Sequence, residues 1–466
     1  MPLWRTKSNH SQAGSESDPK NDPAVSASQA AGTAWLKGHP NHLTEEQEKT
    51  LHEFKKLCEE NGYYKSVDEK GKPSHDDATM LRYLRARKFD LNGAWGQFKD
   101  TEEWRHENAI ESLYENIDVD SYEAARRMYP QWTGRRDRRG IPIYVFEIRH
   151  LHTKNMAEYN STMTSSTATA DSHQSSKVPQ RLLRLFALYE NLLRFVMPMC
   201  SQLDRPNPEA PIVTSTNIVD VSGVGLKQFW NLKGHMQDAS VLATAHYPET
   251  LDRIFIIGAP AFFPTVWGWI KRWFDPVTTS KIFILSASEV KPTLSSFMDV
   301  SSIPKQYGGE LDWQWNDMPN LDEPARELLR PLETPPSEGE SKPGFIKGPV
   351  LFKGDHIEIL GKLNGQSRKS TIPVPPSSSS SKTFDSPSQE DHPPQYQESP
   401  KSDDTPTSTS TTTTAVETTA ENNTDRSTDG ETTATSTTIT TENEKVGAER
   451  VANGDAATAP AQTVTA

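Results

Sequence analysis

Apolar residues recur at helical spacing from Leu43 and then give way, after Ile141, to short compact runs. Thr44-Glu45-Glu46-Gln47 has the form of a capping box, and Leu51, Phe54, Leu57 and Cys58 follow on one helical face. A second helix is predicted from Asp76 or Asp77, carrying Met80, Leu81 and Leu84 and ending among Arg82, Arg85, Arg87 and Lys88. A third follows Asn92, with Trp95, Phe98 and Trp104 inward. Three short amphipathic helices predict a small helical lobe. Beyond them, Ile141–Ile148 reads as a strand after a turn-like loop, Gly134 to Gly140. A polar stretch, Asn155–Lys177, reads as a surface insertion, and Pro179 opens a helix running through Phe195. Ile212–Val221 is the next strand, and helices follow over Lys227–Tyr247. Strands alternating with helices predict an α/β domain with a largely parallel sheet. After Leu311 the chain reads as proline-rich linkers.

The densest signal runs from Tyr247 to Leu285. Ile254–Ile257 and Ile282–Leu285 are each short enough for a buried strand. Between them lie Phe262, Phe263, Trp267, Trp269, Trp273 and Phe274. No charge interrupts Ile254–Ile270, but Gly258, Pro260, Pro264 and Gly268 do, and Pro264 breaks any spanning helix. Strand, loop, short helix and strand is the better reading, since parallel strands need such a crossover. Glu249 precedes the first run, and Thr278 and Lys281 precede the second. A greasy crossover with a few placed charges suits a ligand that is apolar along most of its length and ionic at one end.

Composition changes the picture mainly at the ends. Only 33% of the 466 residues are hydrophobic, too few for a chain folded throughout. Residues 371–466 are rich in Ser, Thr and Pro, with 15 acidic residues against 5 basic ones. That segment accounts for most of the net charge of −13 and is predicted to be a disordered acidic tail. Residues 1–40 are expected to be disordered as well and show no signal-peptide pattern. Two cysteines, Cys58 and Cys200, give no disulfide framework and no zinc spacing. A cytoplasmic protein is expected.

LRYLRARKFD (81–90), YPE (247–249), DPVTTSKIFIL (275–285) and IPKQYGG (303–309) resemble the CRAL-TRIO family, and within it the fungal phosphatidylinositol transfer proteins. The resemblance covers roughly Leu43 to Leu311. It implies an N-terminal helical lobe (41–125), then a CRAL-TRIO α/β lipid-binding domain with a mostly parallel sheet (126–312). An extension or linker (313–370) and the tail follow. The family's phosphoinositide-headgroup residues fall on Arg87, Glu249, Thr278 and Lys281. Lys281 and Arg87 can neutralise a phosphate, Thr278 can donate to it, and Glu249 can hold Lys281. Without the resemblance, a structural salt bridge would be the favoured reading of Glu249 and Lys281. The family's second, phosphatidylcholine pocket falls on Tyr144, Ser215, Thr133 and Asn217. Thr133 and Asn217 depart from the tyrosine and threonine of the family pattern, which implies weak or altered phosphatidylcholine binding.

The aromatic segment Phe262–Phe274 corresponds to the family's gate, and Lys271 and Arg272 suit an anionic interface. Function is expected to be phosphatidylinositol binding and transfer between membranes, or its presentation to a lipid kinase, by a monomer transiently peripheral on Golgi or endosomal membranes. Bound phospholipid would be a ligand, and no cofactor, metal or nucleic acid is expected. A carrier of a sterol, haem or another lipid is the alternative, as is a lipid-sensing scaffold. Pro393-Pro394-Gln395-Tyr396 is a candidate WW-domain ligand, with chance occurrence the competing reading. Arg135–Arg139 reads as a solvated turn, with anionic lipid as its other partner, and Arg181, Arg184 and Arg194 read as an outer helix face. Val221-Ser222-Gly223-Val224-Gly225 lacks the third glycine of a dinucleotide fingerprint, and no nucleophile elbow, P-loop or HExxH occurs, so an enzyme is not expected.

Overall fold

A computed structural model describes residues 33–67, 71–165, 178, 180–273, 279–336 and 344–374. All belong to one unit, Met1–Ser386; the other, Pro387–Ala466, lies outside the described residues. The capping box forms: Thr44 Oγ1 accepts from the Gln47 amide at 3.2 Å, and the Gln47 side chain accepts from Thr44 N–H at 3.1 Å. It opens α1 (Glu45–Glu60), which buries Leu51, Phe54 and Cys58. Asp76 caps α2 (Asp77–Ala86) through the Thr79 amide, and α3 (Leu91–Glu107) follows. Phe98 meets Phe54 and Tyr83 edge-on, with centroids 5.8 and 5.1 Å apart. Two further helices, α4 (Ile110–Asn116) and α5 (Val119–Arg126), are too short for helical periodicity to reveal.

The five-stranded sheet runs in order β1 (Gln131–Arg136), β2 (Pro142–Glu147), β3 (Ser215–Asp220), β4 (Leu251–Ile257) and β5 (Ile282–Ile284). Only β1 is antiparallel to its neighbour. Its presence corrects the turn expected at Gly134–Gly140, because an edge strand reading Thr-Gly-Arg-Arg shows no alternation. Of the arginines there only Arg138 is exposed, and all four have partners. Arg136 pairs with Asp322 at 2.9 Å and Arg138 with Asp299 at 3.0 Å. Arg135 donates to Asn320, and Arg139 is buried against Asp137 and Asp252.

The crossovers are α6 (Thr153–Ser165), α7 (Gln180–Asn191), α8 (Met197–Gln202), α9 (Leu226–His246), α10 (Phe263–Ile270) and α11 (Ala287–Phe297). A π-helical turn, Leu192–Val196, joins α7 to α8. Pro179 lies outside the described residues, as does most of the polar insertion. The part of that insertion that is described buries Tyr159. Arg184 is 2% exposed, with its guanidinium 6.0 Å from the Tyr159 ring, so it is not on an outer face. Arg194 leans on Glu190 and over the Tyr114 ring instead of facing solvent. No described helix is long and apolar enough to cross a membrane.

The linker reading beyond Leu311 also needs correction. Helix α12 (Glu323–Leu329) and the antiparallel strands β6 (Val350–Phe352), β7 (His356–Ile359) and β8 (Ser370–Pro373) pack onto the domain. Leu329, Val350 and Ile357 share a core with Phe195, Val196 and Cys200. Strands this short give little periodicity, and their stability comes from that shared core. At the other end, Leu36 is fully buried, so order begins before residue 41.

A buried carboxylate ties the lobe to the α/β domain. Glu190 on α7 accepts from Arg105 of α3 at 2.7 and 3.0 Å and from the Tyr247 hydroxyl at 2.9 Å. Burial opposes its charge, but the charge and hydrogen bonds of Arg105, helped by Arg194 and Tyr247, hold its carboxyl below the ordinary range. Glu190→Ala strands the half-buried Arg105 and is expected to cost roughly 3–5 kcal/mol in urea denaturation. Burial would also raise the Asp252 carboxyl, yet Arg139 and Arg253 hold it at about 2 against an ordinary 3.8. The stability this provides is present above the ordinary value and lost as pH falls through that window. Denaturation of Asp252→Asn from pH 3.8 down to about 2 should therefore show a smaller loss than the wild type.

Candidate ligand-binding site

Alternation along the sheet separates a dry core from a cavity. Ile143, Val145, Ile218, Phe255 and Ile257 point to one face, where Leu294, Phe297 and Trp313 cover them. Tyr144, Phe146, Ser215, Asn217, Val219 and Ile254 point to the other and floor a cavity of about 570 Å³. Leu185, Leu188 and Leu192 of the α7 segment form one wall, and Met236, Ala239 and Ala243 of α9 another. The volume falls within the ~300–1,000 Å³ typical of ligand pockets.

One end of this apolar space is charged. It is lined by Arg85, Arg87 and Lys88 from the end of α2 and by Glu249 from the turn before β4. The turn after α2 closes through the Phe89 amide, which donates to Leu84 O at 2.7 Å. Lys88 and Phe89 take φ values of 53° and 62°, and Glu249 takes 55°. Non-glycine residues in this region cost of order 1 kcal/mol or more and cluster at ligand clamps. Two of them, Lys88 and Glu249, line this end of the cavity.

The expected headgroup residues are placed unevenly. Lys281, at the start of β5, donates to Leu251 O at 3.0 Å and to Glu249 Oε2 at 3.5 Å. Both side chains of that pair are a quarter exposed. Arg87 lines the cavity mouth with its side chain mostly in solvent. Thr278 lies outside the described residues. Arg85, seen in the sequence only as one of an arginine cluster, is the cation brought furthest inside. Its Nε and Nη2 are sealed from solvent without a hydrogen-bond partner among the described residues. Burial pulls its guanidinium down to about 10, against the opposing pull of Glu249. The signal for Arg85 was available, since it follows the buried Leu81 by four residues on the same helical face.

Of the second-lipid residues, Tyr144, Ser215 and Asn217 line the cavity. Asn217 Nδ2 donates to Ser215 Oγ at 3.0 Å, so these polar groups partly satisfy one another. Thr133 is not brought to the cavity; it is fully buried in β1 and its hydroxyl donates to Ile143 O at 3.1 Å. In the aromatic segment, Phe263 is buried, while Phe262 and Trp267 pack against the same core. Trp269 is exposed and meets Trp230 of α9 edge-on at 5.9 Å. Gly258, at φ 68°, lies so close to Ser222 that any side chain there would overlap it. The Phe274 position and the side chain of Trp273 lie outside the described residues, as does Pro393-Pro394-Gln395-Tyr396.

Residues 126–309 match the CRAL/TRIO domain, and residues 50–100 match the CRAL/TRIO N-terminal domain. The SEC14 cytosolic factor of Kluyveromyces lactis is 30% identical over 282 residues, spanning 60% of this chain and 84% of that protein. That of Eremothecium gossypii is 31% identical over 283 residues, spanning 61% and 82%. Phosphatidylinositol/phosphatidylcholine transfer protein SFH7 of Arabidopsis thaliana is 31% identical over 239 residues, spanning 51% of this chain and 40% of that protein. A helical lobe on a mostly parallel sheet, a one-sided apolar cavity and these matches together make the chain a member of the CRAL-TRIO family, distantly related to the fungal SEC14 cytosolic factors.

Proposed function

We propose that the chain is a non-enzymatic carrier that binds phosphatidylinositol in the cavity and moves it between membranes. The observation that carries this reading is an apolar cavity ending in Arg85, Arg87, Lys88 and Glu249, with Lys281 behind Glu249. Two acyl chains hold roughly 30 methylenes, so exposing them to water would cost on the order of 25 kcal/mol at ~0.8 kcal/mol each. Only an apolar enclosure removes that penalty. The headgroup phosphate would then meet the basic end, where Arg85 has unsatisfied donors and Glu249 keeps Lys281 in place. The similar Arabidopsis protein is named for phosphatidylinositol and phosphatidylcholine transfer. Here the mutual bonding of Asn217 and Ser215, and Thr133 turned into the sheet, favour phosphatidylinositol over phosphatidylcholine. The exposed Trp269, followed by Lys271 and Arg272, is the proposed membrane contact of the gate. Work in the cytosol, with brief visits to membranes, accords with the name cytosolic factor carried by its relatives.

Mass spectrometry of lipids co-purifying with the full chain tests the reading. Phosphatidylinositol is expected on the wild type, with little phosphatidylcholine. Lys281→Ala should bind phosphatidylinositol roughly ten- to a hundredfold more weakly, the loss of one charge-assisted contact. A sterol or haem in place of phospholipid would leave the fold standing and overturn the assigned cargo.

A further inference from the structure

Seven large apolar side chains are exposed among the described residues, and four of them, Leu226, Trp230, Val241 and Trp269, lie on α9 and α10. At 100° per residue, Leu226, Trp230 and Val241 fall within about 60° of one another on α9. A face roughly 140° around the same helix carries Met236, Ala239 and Ala243 into the cavity wall. Helix α9 therefore presents apolar surface outward as well as inward, which core packing does not require. Its outward rings are joined: Trp230 is 58% exposed and meets Trp269 edge-on at 5.9 Å. The 3-10 turn Lys271–Trp273 packs against α9, so the two helices present one surface.

The charges nearest Trp230 and Trp269 are basic. Lys227 is exposed, and the Lys233 ammonium lies 5.2 Å from the Trp230 ring centre. Exposed Lys271 and Arg272 continue from α10. Asp238, the only acid on α9, is exposed near Val241, eight residues beyond Trp230 and about 80° around the helix from it. Tryptophan beside lysine is the chemistry of an anionic bilayer interface: the rings sit at headgroup depth and the cations meet lipid phosphates. We infer that the outer face of α9, built on Leu226 and Trp230 with Lys227 and Lys233, docks on an anionic bilayer together with Trp269. This rests on the carrier reading above and adds a second, cavity-walling helix to the membrane footprint. The wall and the gate would then touch the membrane side by side, on either side of the route a lipid takes.

Sedimentation of the full chain with phosphatidylcholine vesicles containing phosphatidylserine tests this, using Trp230→Ala, Leu226→Asp, the pair Lys227→Glu and Lys233→Glu, and Trp269→Asp. Trp230→Ala should weaken vesicle binding about tenfold, the change for a large ring leaving a partly buried interfacial position. Leu226→Asp and the lysine pair should weaken it too, and added salt should erase only the effect of the lysine pair. Co-purified phosphatidylinositol should be unchanged in the Trp230, Leu226 and lysine-pair variants. If Trp269→Asp alone loses binding, the α9 face is not part of the footprint and the carrier reading stands. If Trp230→Ala keeps vesicle binding but changes the oligomeric state, a second copy covers this face and the inference is overturned. If the wild type itself ignores vesicles, both readings fall.

Discussion

The fold turns on one buried carboxylate. Glu190 sits at 1% exposure near the C-terminal end of α7, where an uncompensated charge would be prohibitive. Arg105 reaches it from the helical lobe and Tyr247 from the turn that leads into β4. Burial and the nearby Glu190 charge raise the Tyr247 hydroxyl well above its usual range, so it remains a neutral donor. Lobe, cavity wall and sheet are thereby fixed to one point. Two residues beyond Tyr247, the chain turns through Glu249 in its left-handed conformation. The charged end of the cavity is thus positioned by a buried network whose Tyr247 also lines the cavity.

The cavity itself follows from how a parallel sheet is covered. Such a sheet carries crossover helices on its faces and is normally dry on both. Here α11 and Trp313 seal one face, while α7 and α9 stand off the other. Small side chains on α9, Ala239, Ser240 and Ala243, leave the space open where larger ones would fill it. The C-terminal strands β6–β8 bind to the α7–α8 segment from outside, through Phe195, Val196 and Cys200. They brace the wall helix from behind, where no sheet is available to support it.

Much of this was legible in the residues. The Thr44 capping box, the α2 and α3 faces, the parallel pair β4 and β5, and the short helix between them all follow from local pattern. The arginines did not yield to the same reading. A run of Arg135, Arg136, Arg138 and Arg139 in a Gly-flanked segment reads as a wet turn, because its carboxylate partners lie far along the chain at Asp252, Asp299 and Asp322. Arg184 misled because the group it packs against is an aromatic ring, Tyr159, on a preceding helix. The strands after residue 344 were missed because two to four residues carry too little periodicity to register.

The sequence by itself determined the longer helices and the parallel strands, the family and the lipid-binding class, because these rest on periodicity and on motifs whose residues are adjacent in the chain. It also set a basic cluster at the end of α2 and an acid at Glu249. Only the tertiary structure decided which cation enters the cavity, placing Arg85 inside and leaving Arg87 at the mouth. It alone turned Thr133 into the sheet and set Trp230 against Trp269 across two helices. The physical reason is common to all three. Helical phase and strand alternation fix which side of an element a residue occupies, but its neighbour is chosen by packing between separate elements.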